Sequence, residues 1–382
     1  MTDSYDVLVA GGSIAGLAFA SEAAKRGARV LVAEEHDEIG EPEKCDGLVS
    51  LRGLRRYGYP PAPDVVQNKI TSAVIHSPSD RHFAVNASSL DVVVLDRSAF
   101  DKQVAAAAVA NGAEVRTGSR VGRVARKGDG IEAKVGEGEV KAKRFVYATG
   151  PASSPRHGIL PAAKYELEGS WVREHTVEVY LDAAKYPGFF AWVIPFGKHR
   201  AKVGAAGYGV SPFRALDDFL AGRECRVLRK VSAPIYVGGP APRFVEPGRI
   251  FVGESAGQVK PTTAGGIMTS IAGAVVAAKW TWESIQRGEP ALMDRYQTEW
   301  GAAFLKEMRT MLKLRGVFEK MSNADLEAVF SALATPKLIL KLSQTDFDFH
   351  ASALLGALGV PGLLRVAKVV ASAEVRSLLT NG

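Results

Sequence analysis

The sequence predicts an α/β fold: a parallel-sheet domain assembled from two separated stretches, an antiparallel-sheet domain inserted between them, and a helical C-terminal region. Three observations predict it. The apolar run Tyr5 to Ala10 enters a glycine turn and then helical apolar spacing, the order of a β-α-β unit. Core-strand character ends after residue 150 and returns near residue 249. From Pro290 onward, apolar residues recur mostly at helical spacing. The expected boundaries are 1–150 plus 244–288 for the discontinuous domain, 151–243 for the insert and 289–382 for the helical region.

Taken in order, Tyr5 to Ala10 reads as a buried parallel strand, Ile14 to Arg26 as a helix stopped by Gly27, and Arg29 to Ala33 as the next strand. Phe100 to Asn111 is an alanine-rich helix ended by Gly112. Glu114 to Thr117, Val121 to Ala125, Ile131 to Val135 and Val140 to Ala142 form a small sheet or ribbon, and Arg144 to Ala148 is a further core strand. Val177 to Leu181, Phe190 to Ile194, Ala201 to Ala206 and Val231 to Val237 read as antiparallel strands between Pro and Gly turns. Arg249 to Val252 returns to the core and leads into a helix from Gly266 to about Gln286. Ser322 with Asp325 predicts a capping box, and Thr335-Pro336 predicts a helix with Pro at its first position.

With 47% hydrophobic and 23% charged residues the composition is globular, and the length allows a large core. The net charge of +7 comes from scattered residues, which argues against nucleic-acid binding and fits a surface that favours anionic headgroups. Two cysteines, Cys45 and Cys225, form no disulfide framework, and whether they pair is open. The longest apolar stretch, Gly265 to Ala278, falls short of the ~20 residues of a spanning helix, and the first apolar run belongs to a strand rather than a signal peptide. The expectation is a soluble or peripheral, cytoplasmic protein. The seven histidines show no metal spacing, and Asp346, Asp348 and His350 alternate with Phe347 and Phe349 as a half-buried segment, so no metal site is expected.

Gly11-Gly12-Ser13-Ile14-Ala15-Gly16 follows a strand, opens a helix and is followed by Glu34 at the end of the next strand. A tight turn at Gly11, close backbone approach near Ser13 and tight helix–strand packing at Gly16 suit a pyrophosphate on the helix N-terminus, where Ala15 lies. Glu34 suits the ribose hydroxyls. Asp96-Arg97 before Phe100-Asp101, the turn Tyr147 to Gly150, and Gly253-Glu254-Ser255-Ala256-Gly257 followed by Thr262 to Ile267 favour FAD over NAD. This set resembles the glutathione-reductase-type flavoproteins of the aromatic-hydroxylase branch. The resemblance implies their FAD-binding fold, with Arg97, Val121, Gly150, Glu254, Gly265, Gly266 and Ile267 at the cofactor. Glu254 stands where that branch carries Asp. Gly204 to Gly209 has the wrong spacing for a second nucleotide site, so no NAD(P)H domain is expected.

Pro42-Glu43-Lys44-Cys45-Asp46-Gly47 and Phe190-Ala191-Trp192-Val193-Ile194-Pro195 resemble the geranylgeranyl reductase family, whose motifs run P-x-x-C-x-G and [YF]-x-W-x-F-P. The first matches at every fixed position; in the second, Ile194 replaces Phe. The segment Val259 to Ile267 is similar to that family's flavin-facing stretch. The resemblance implies reduction of isolated C=C bonds in prenyl chains. The archaeal enzymes acting on geranylgeranyl phospholipids are nearest in pattern, and geranylgeranyl diphosphate or menaquinone tails are the alternatives. It implies FAD recharged by a reduced donor (ferredoxin, NADPH or a quinol), with hydride leaving flavin N5 and a proton added at the other carbon.

On that reading Cys45, with Asp46 and Gly47, lies at the flavin, and Cys45 is the candidate catalytic residue, as proton donor or positioning group. An ordinary thiol, titrating near about 8.5, has a proton to give at neutral pH. Phe190, Trp192 and Pro195 are expected to bind the prenyl chain, and Cys225 is expected to be structural. The C-terminal helices mix Met311, Leu312, Leu314, Val317 and Phe318 with Lys306, Arg309, Lys313 and Arg315. Bundle packing explains that mixture, and docking at the inner face of the cell membrane is the sharper expectation. A flavin monooxygenase of the same fold and a non-catalytic lipid-binding flavoprotein are the competing function classes.

Overall fold

The computed structural model describes residues 3–150, 158–232, 234–352 and 355–356. Its first sheet has eight strands. The parallel run is Arg249–Phe251, Gly138–Tyr147, Asp3–Ala10, Val30–Ala33 and Glu114–Arg116. Val7, Leu8, Val9 and all of Val30–Ala33 are buried, as strands covered on both faces must be. One face carries Ile14–Lys25, which packs against Arg97–Ala110 and Ile267–Arg287. Leu8, Leu31 and Phe145 meet Ile131, Ala133 and Val135 of the ribbon Val121–Lys127 and Gly130–Val135 on the other.

Two elements differ from the sequence reading. Gly138–Tyr147 is one ten-residue strand that pairs antiparallel with the ribbon and parallel with Asp3–Ala10. Lys141 and Lys143 look like a break in a core strand, but they point outward and pair with Glu132 and Asp6. Glu114–Arg116, expected in the ribbon, lies instead at the edge of the parallel sheet, because it pairs in register with Leu31 to Ala33.

The second sheet has seven strands, in the order Arg226–Ser232, Ala162–Glu168, Arg200–Ala206, Ala191–Gly197, Thr176–Tyr180, Ser72–His76 and His82–Asn86. Its pairings are antiparallel except that between Thr176–Tyr180 and Ser72–His76. The last two strands come from within the stretch read as the first nucleotide-binding segment. The strand expected at Val231 to Val237 runs from Arg226 to Ser232, and Ile235–Tyr236 forms a separate short ladder with Ile159–Leu160. A third sheet, Leu48–Ser50, Val92–Leu95 and Val66–Ile70, bridges the two larger ones.

Ile267–Arg287 leads into Asp294–Phe318, whose Tyr296, Trp300 and Phe304 pack with Phe244 and the first core. Ser322 and Asp325 form a reciprocal capping box on Asn323–Leu333. Thr335 is the N-cap of Pro336–Leu342, which begins with Pro. The end of the expected helical region, 357–382, lies outside the described residues. Among the described residues no helix is long and apolar enough to cross a membrane.

Candidate active site

Three of the expected segments converge at the C-terminal ends of the parallel strands. Gly11 has φ +103°, and a Cβ there would lie 2.5 Å from the carbonyl oxygen of Ala148. At Gly16 a Cβ would come within 2.1 Å of the Gly11 carbonyl oxygen. Gly253 is equally confined, its Cβ position being 2.6 Å from Ala15 Cβ. Ser255 Oγ donates to the carbonyl of Gly150 (3.1 Å), which joins the Glu254 turn to the Gly150 turn. Ser13 is the N-cap of Ile14–Lys25 without a side-chain bond to that helix, so the N–H groups of its first turn face the cradle. Glu34 accepts from the backbone N–H of Gly12 (2.6 Å) and of His36 (3.0 Å). Burial raises its carboxyl, and these donors outweigh that and hold it below the usual range. Val121 follows closely on Ser119, whose N–H donates to the carbonyl of Glu34 (2.7 Å).

Arg97 opens the helix Arg97–Ala110, whose N-cap Asp96 accepts from Ala99 N–H (2.9 Å). Its guanidinium is buried and bonds Asp101 at 2.9 and 3.2 Å. Burial pulls the guanidinium down, but Asp101 and then Cys45 beside it raise it. Its Nε and the neighbouring Ser98 Oγ are buried without a hydrogen-bond partner. Orphaned donors next to a glycine cradle and a ribose-type carboxylate fit a dinucleotide of FAD's length. Gly11 to Gly16, Glu34 and Arg97 are the residues that would hold it.

On the far side of the cradle, Gly265 and Gly266 precede Ile267–Arg287, and Gly266 is the N-cap. Gly265 lies under Lys260, which reaches Asp348 Oδ1 (3.0 Å), and both residues are buried. Thr262 Oγ1 is 3.0 Å from His350 Nε2. The half-buried segment expected at 346–350 therefore closes over Lys260 and Thr262. Burial, with Lys260 adding to it, lowers the His350 imidazole to about 4. Glu254 is pushed the other way, to about 7, by burial, against a backbone hydrogen bond from Tyr236.

The Cys45 loop lies over one face of the seven-stranded sheet. The indole N–H of Trp192 donates to Asp46 Oδ2 (2.8 Å), so the two motifs meet directly. Asp46 is enclosed, and burial raises its carboxyl above the usual range despite Lys164 and Lys202 nearby. Gly47, with φ +82°, passes so close to Leu95 that a Cβ would lie 2.2 Å from its carbonyl oxygen. Phe190 stacks on Phe189 with centroids 4.0 Å apart and meets Trp192 edge-on at 6.1 Å. Pro195 accepts from Asn68 Nδ2 (2.8 Å). Trp192, Ile194 and Phe189 form one apolar cluster whose partly open members include Leu48, Phe190, Ala264 and Phe347. That cluster runs from the sheet to Ala264, within the stretch 259–267.

The sequence reading passed over Lys164 and Lys202, each 1% exposed beneath the Cys45 loop, and Asn68, whose amide ties Pro195 to Glu174. A Lys and Glu alternation in a strand signals a solvated face, and nothing local shows that a loop covers it. Cys45 and Cys225 are both free; Cys45 is exposed, and Cys225 packs beside the core of the second sheet. No cluster able to hold a metal ion occurs among the described residues.

Residues 4–207 match a family model described as an FAD binding domain. Digeranylgeranylglycerophospholipid reductase 2 of Methanopyrus kandleri is 32% identical, the match covering 86% of this chain and 90% of that protein. The protein of the same description from Methanothermobacter thermautotrophicus is 30% identical over 86% of this chain and 91% of its own. Among solved structures, a geranylgeranyl bacteriochlorophyll reductase-like protein from Thermoplasma acidophilum superposes with a TM-score of 0.86 at 24% identity, covering 98% of this chain and 99% of that one. The superposition carries the fold, of the glutathione-reductase and aromatic-hydroxylase type, and the family model carries FAD as the cofactor. With relatives at 30% identity or more along most of its length, the chain belongs to the geranylgeranyl reductase family of FAD flavoproteins.

Proposed function

We propose that this protein is an oxidoreductase that saturates isolated C=C bonds in prenyl chains, its substrates being geranylgeranyl groups of archaeal membrane phospholipid precursors. The observation that carries the reading is the hydrogen bond from Trp192 to Asp46, which ties the Cys45 loop to the apolar cluster leading from the sheet to the flavin-facing stretch. FAD, when bound and reduced, supplies the hydride. An unactivated alkene has no carbonyl to stabilise developing charge, so a proton must reach the second carbon as hydride reaches the first. Cys45 is the thiol of the loop; it is exposed and lies next to Arg97. Phe190, Leu48, Ala264 and Phe347 exclude water and align the chain.

A reduced donor, whether ferredoxin, NADPH or a quinol, must recharge the flavin, and a lipid substrate needs a route from the bilayer. On Asp294–Phe318, Met311 is buried and Arg315 turns inward to the carbonyl of Gly188 (2.8 Å). Those two serve packing. Lys306, Arg309 and Lys313 line an open groove of about 400 Å³ on the same helix, near the exposed Leu312. They are the part of the helix suited to anionic headgroups. The reading is tested anaerobically: the protein is chemically reduced, mixed with geranylgeranylglycerophospholipid, and the product weighed. A gain of two hydrogens per double bond is expected. Oxygen addition in air would mark a monooxygenase, and an unchanged lipid sinks the proposal.

A further inference from the structure

The Cys45 loop is held by cations from three adjacent strands. Lys164 Nζ donates to the carbonyl of Cys45 (2.8 Å). Lys202 Nζ donates to the Glu43 carboxylate (2.5 Å) and to the carbonyl of Asp46 (3.4 Å). Arg229 donates to the carbonyl of Glu43 (3.0 Å) and to Glu166 (2.7 Å). Strand register sets this up: Glu166 is opposite both Arg229 and Lys202, and Lys164 is opposite Gly204, which is opposite Trp192. A Cβ on Gly204 would lie 2.2 Å from the Trp192 ring, so the bare glycine is what lets the indole lie down toward Asp46.

Three cations thus meet three carboxylates, those of Glu43, Asp46 and Glu166. Well-packed apolar side chains would dock a loop at least as stably. What an ammonium adds is direction: it fixes carbonyls, and with them the peptide planes on either side. We propose that Lys164 and Lys202 are positioning residues that lock the peptide planes of Cys45 and Asp46, and so aim the Cys45 thiol. The proposal rests on the reading of Cys45 as a flavin-side residue. Lys164 lies 3.9 Å from Asp46, so removing the ammonium leaves that carboxyl with Lys202 and the Trp192 N–H alone.

The test uses FAD-loaded protein in a Cys225→Ser background, where Cys45 is the single thiol. Lys164→Met removes one of the two cations beside Asp46 and is expected to lower thermal stability. Lys164→Met with Asp46→Asn restores charge balance and recovers that stability, yet still lacks the donor to the Cys45 carbonyl. Relative to Asp46→Asn alone, the double variant should keep its flavin spectrum, alkylate at Cys45 roughly ten-fold faster and lose roughly ten-fold in kcat with KM little changed, the scale of one charge-assisted hydrogen bond. Alkylation and kcat equal to those of Asp46→Asn alone in that folded double variant overturn the proposal and leave the lysines a purely structural role. Full turnover by Cys45→Ala would instead remove the reading of Cys45, and the alkylation rate would still decide the positioning role.

Discussion

Glu254 follows the strand Arg249–Phe251 and His350 meets Thr262, and their protons respond to folding in opposite senses. Burial moves the Glu254 carboxyl from 4.5 to about 7, and the His350 imidazole from 6.5 to about 4. Each displacement is about 2.5 pH units (7 − 4.5 and 6.5 − 4), worth at most about 3 kcal/mol at ~1.36 kcal/mol per unit. The folded protein binds the Glu254 proton more tightly than the unfolded chain does. That contribution is complete below pH 4.5 and is lost as pH rises through about 7. The folded protein binds the His350 proton less tightly, so its contribution is present above pH 6.5 and is lost as pH falls through about 4. Across the shared window the two nearly cancel. Glu254→Gln should therefore gain stability relative to the parent as pH rises, and His350→Gln should gain it as pH falls. Urea unfolding of flavin-free protein at a series of pH values, followed by tryptophan fluorescence, reads both curves. A variant-minus-parent curve for Glu254→Gln that stays flat to within about 0.5 kcal/mol would refute the reasoning, because that is the scatter of an ordinary surface change.

Gly16→Ala places a methyl 2.1 Å from the Gly11 carbonyl oxygen, so it should cost about 1–3 kcal/mol and release flavin on gel filtration. Arg97→Met strands the buried Asp101 and should cost about 3–5 kcal/mol. Adding Asp101→Asn should restore the unfolding midpoint but not flavin retention, and recovery of both would contradict the assignment of Arg97 to the cofactor. Gly204→Ala should lift Trp192 off Asp46, shifting its fluorescence and lowering prenyl turnover with flavin retained. Superimposable spectra would show that the indole does not depend on the bare glycine.

Legibility in the sequence followed the range of the interactions. The turn at Gly11 to Gly16, the Asp96 cap and the Ser322–Asp325 box are each settled within a few residues, so local rules suffice to place them. Ser72–His76 and His82–Asn86 join the second sheet through a parallel pairing with Thr176–Tyr180, which no local signal announces. The same holds for Lys164 and Lys202. Tyr165 and Leu167 face the core of their sheet, which leaves the intervening Lys and Glu looking like a wet edge. Only the return of residues 42–47 onto that face explains why lysines there are buried. The contact of His350 with Thr262, 88 residues earlier, is equally unannounced by local signals.

The anchoring of the Cys45 loop also dictates an order of assembly. As the chain leaves the ribosome, the glycine turn can find its partner once Ala148 has been made. The loop cannot: its donors stand 119, 146, 159 and 186 residues further along, at Lys164, Trp192, Lys202 and Arg229. Such distant closures are slow, and they leave a nascent segment uncommitted while nearly half of the protein is synthesised. The thiol is thus delivered to its place late, after the Gly11 turn has met Ala148 and shortly before the Gly253 turn that completes the cradle is made.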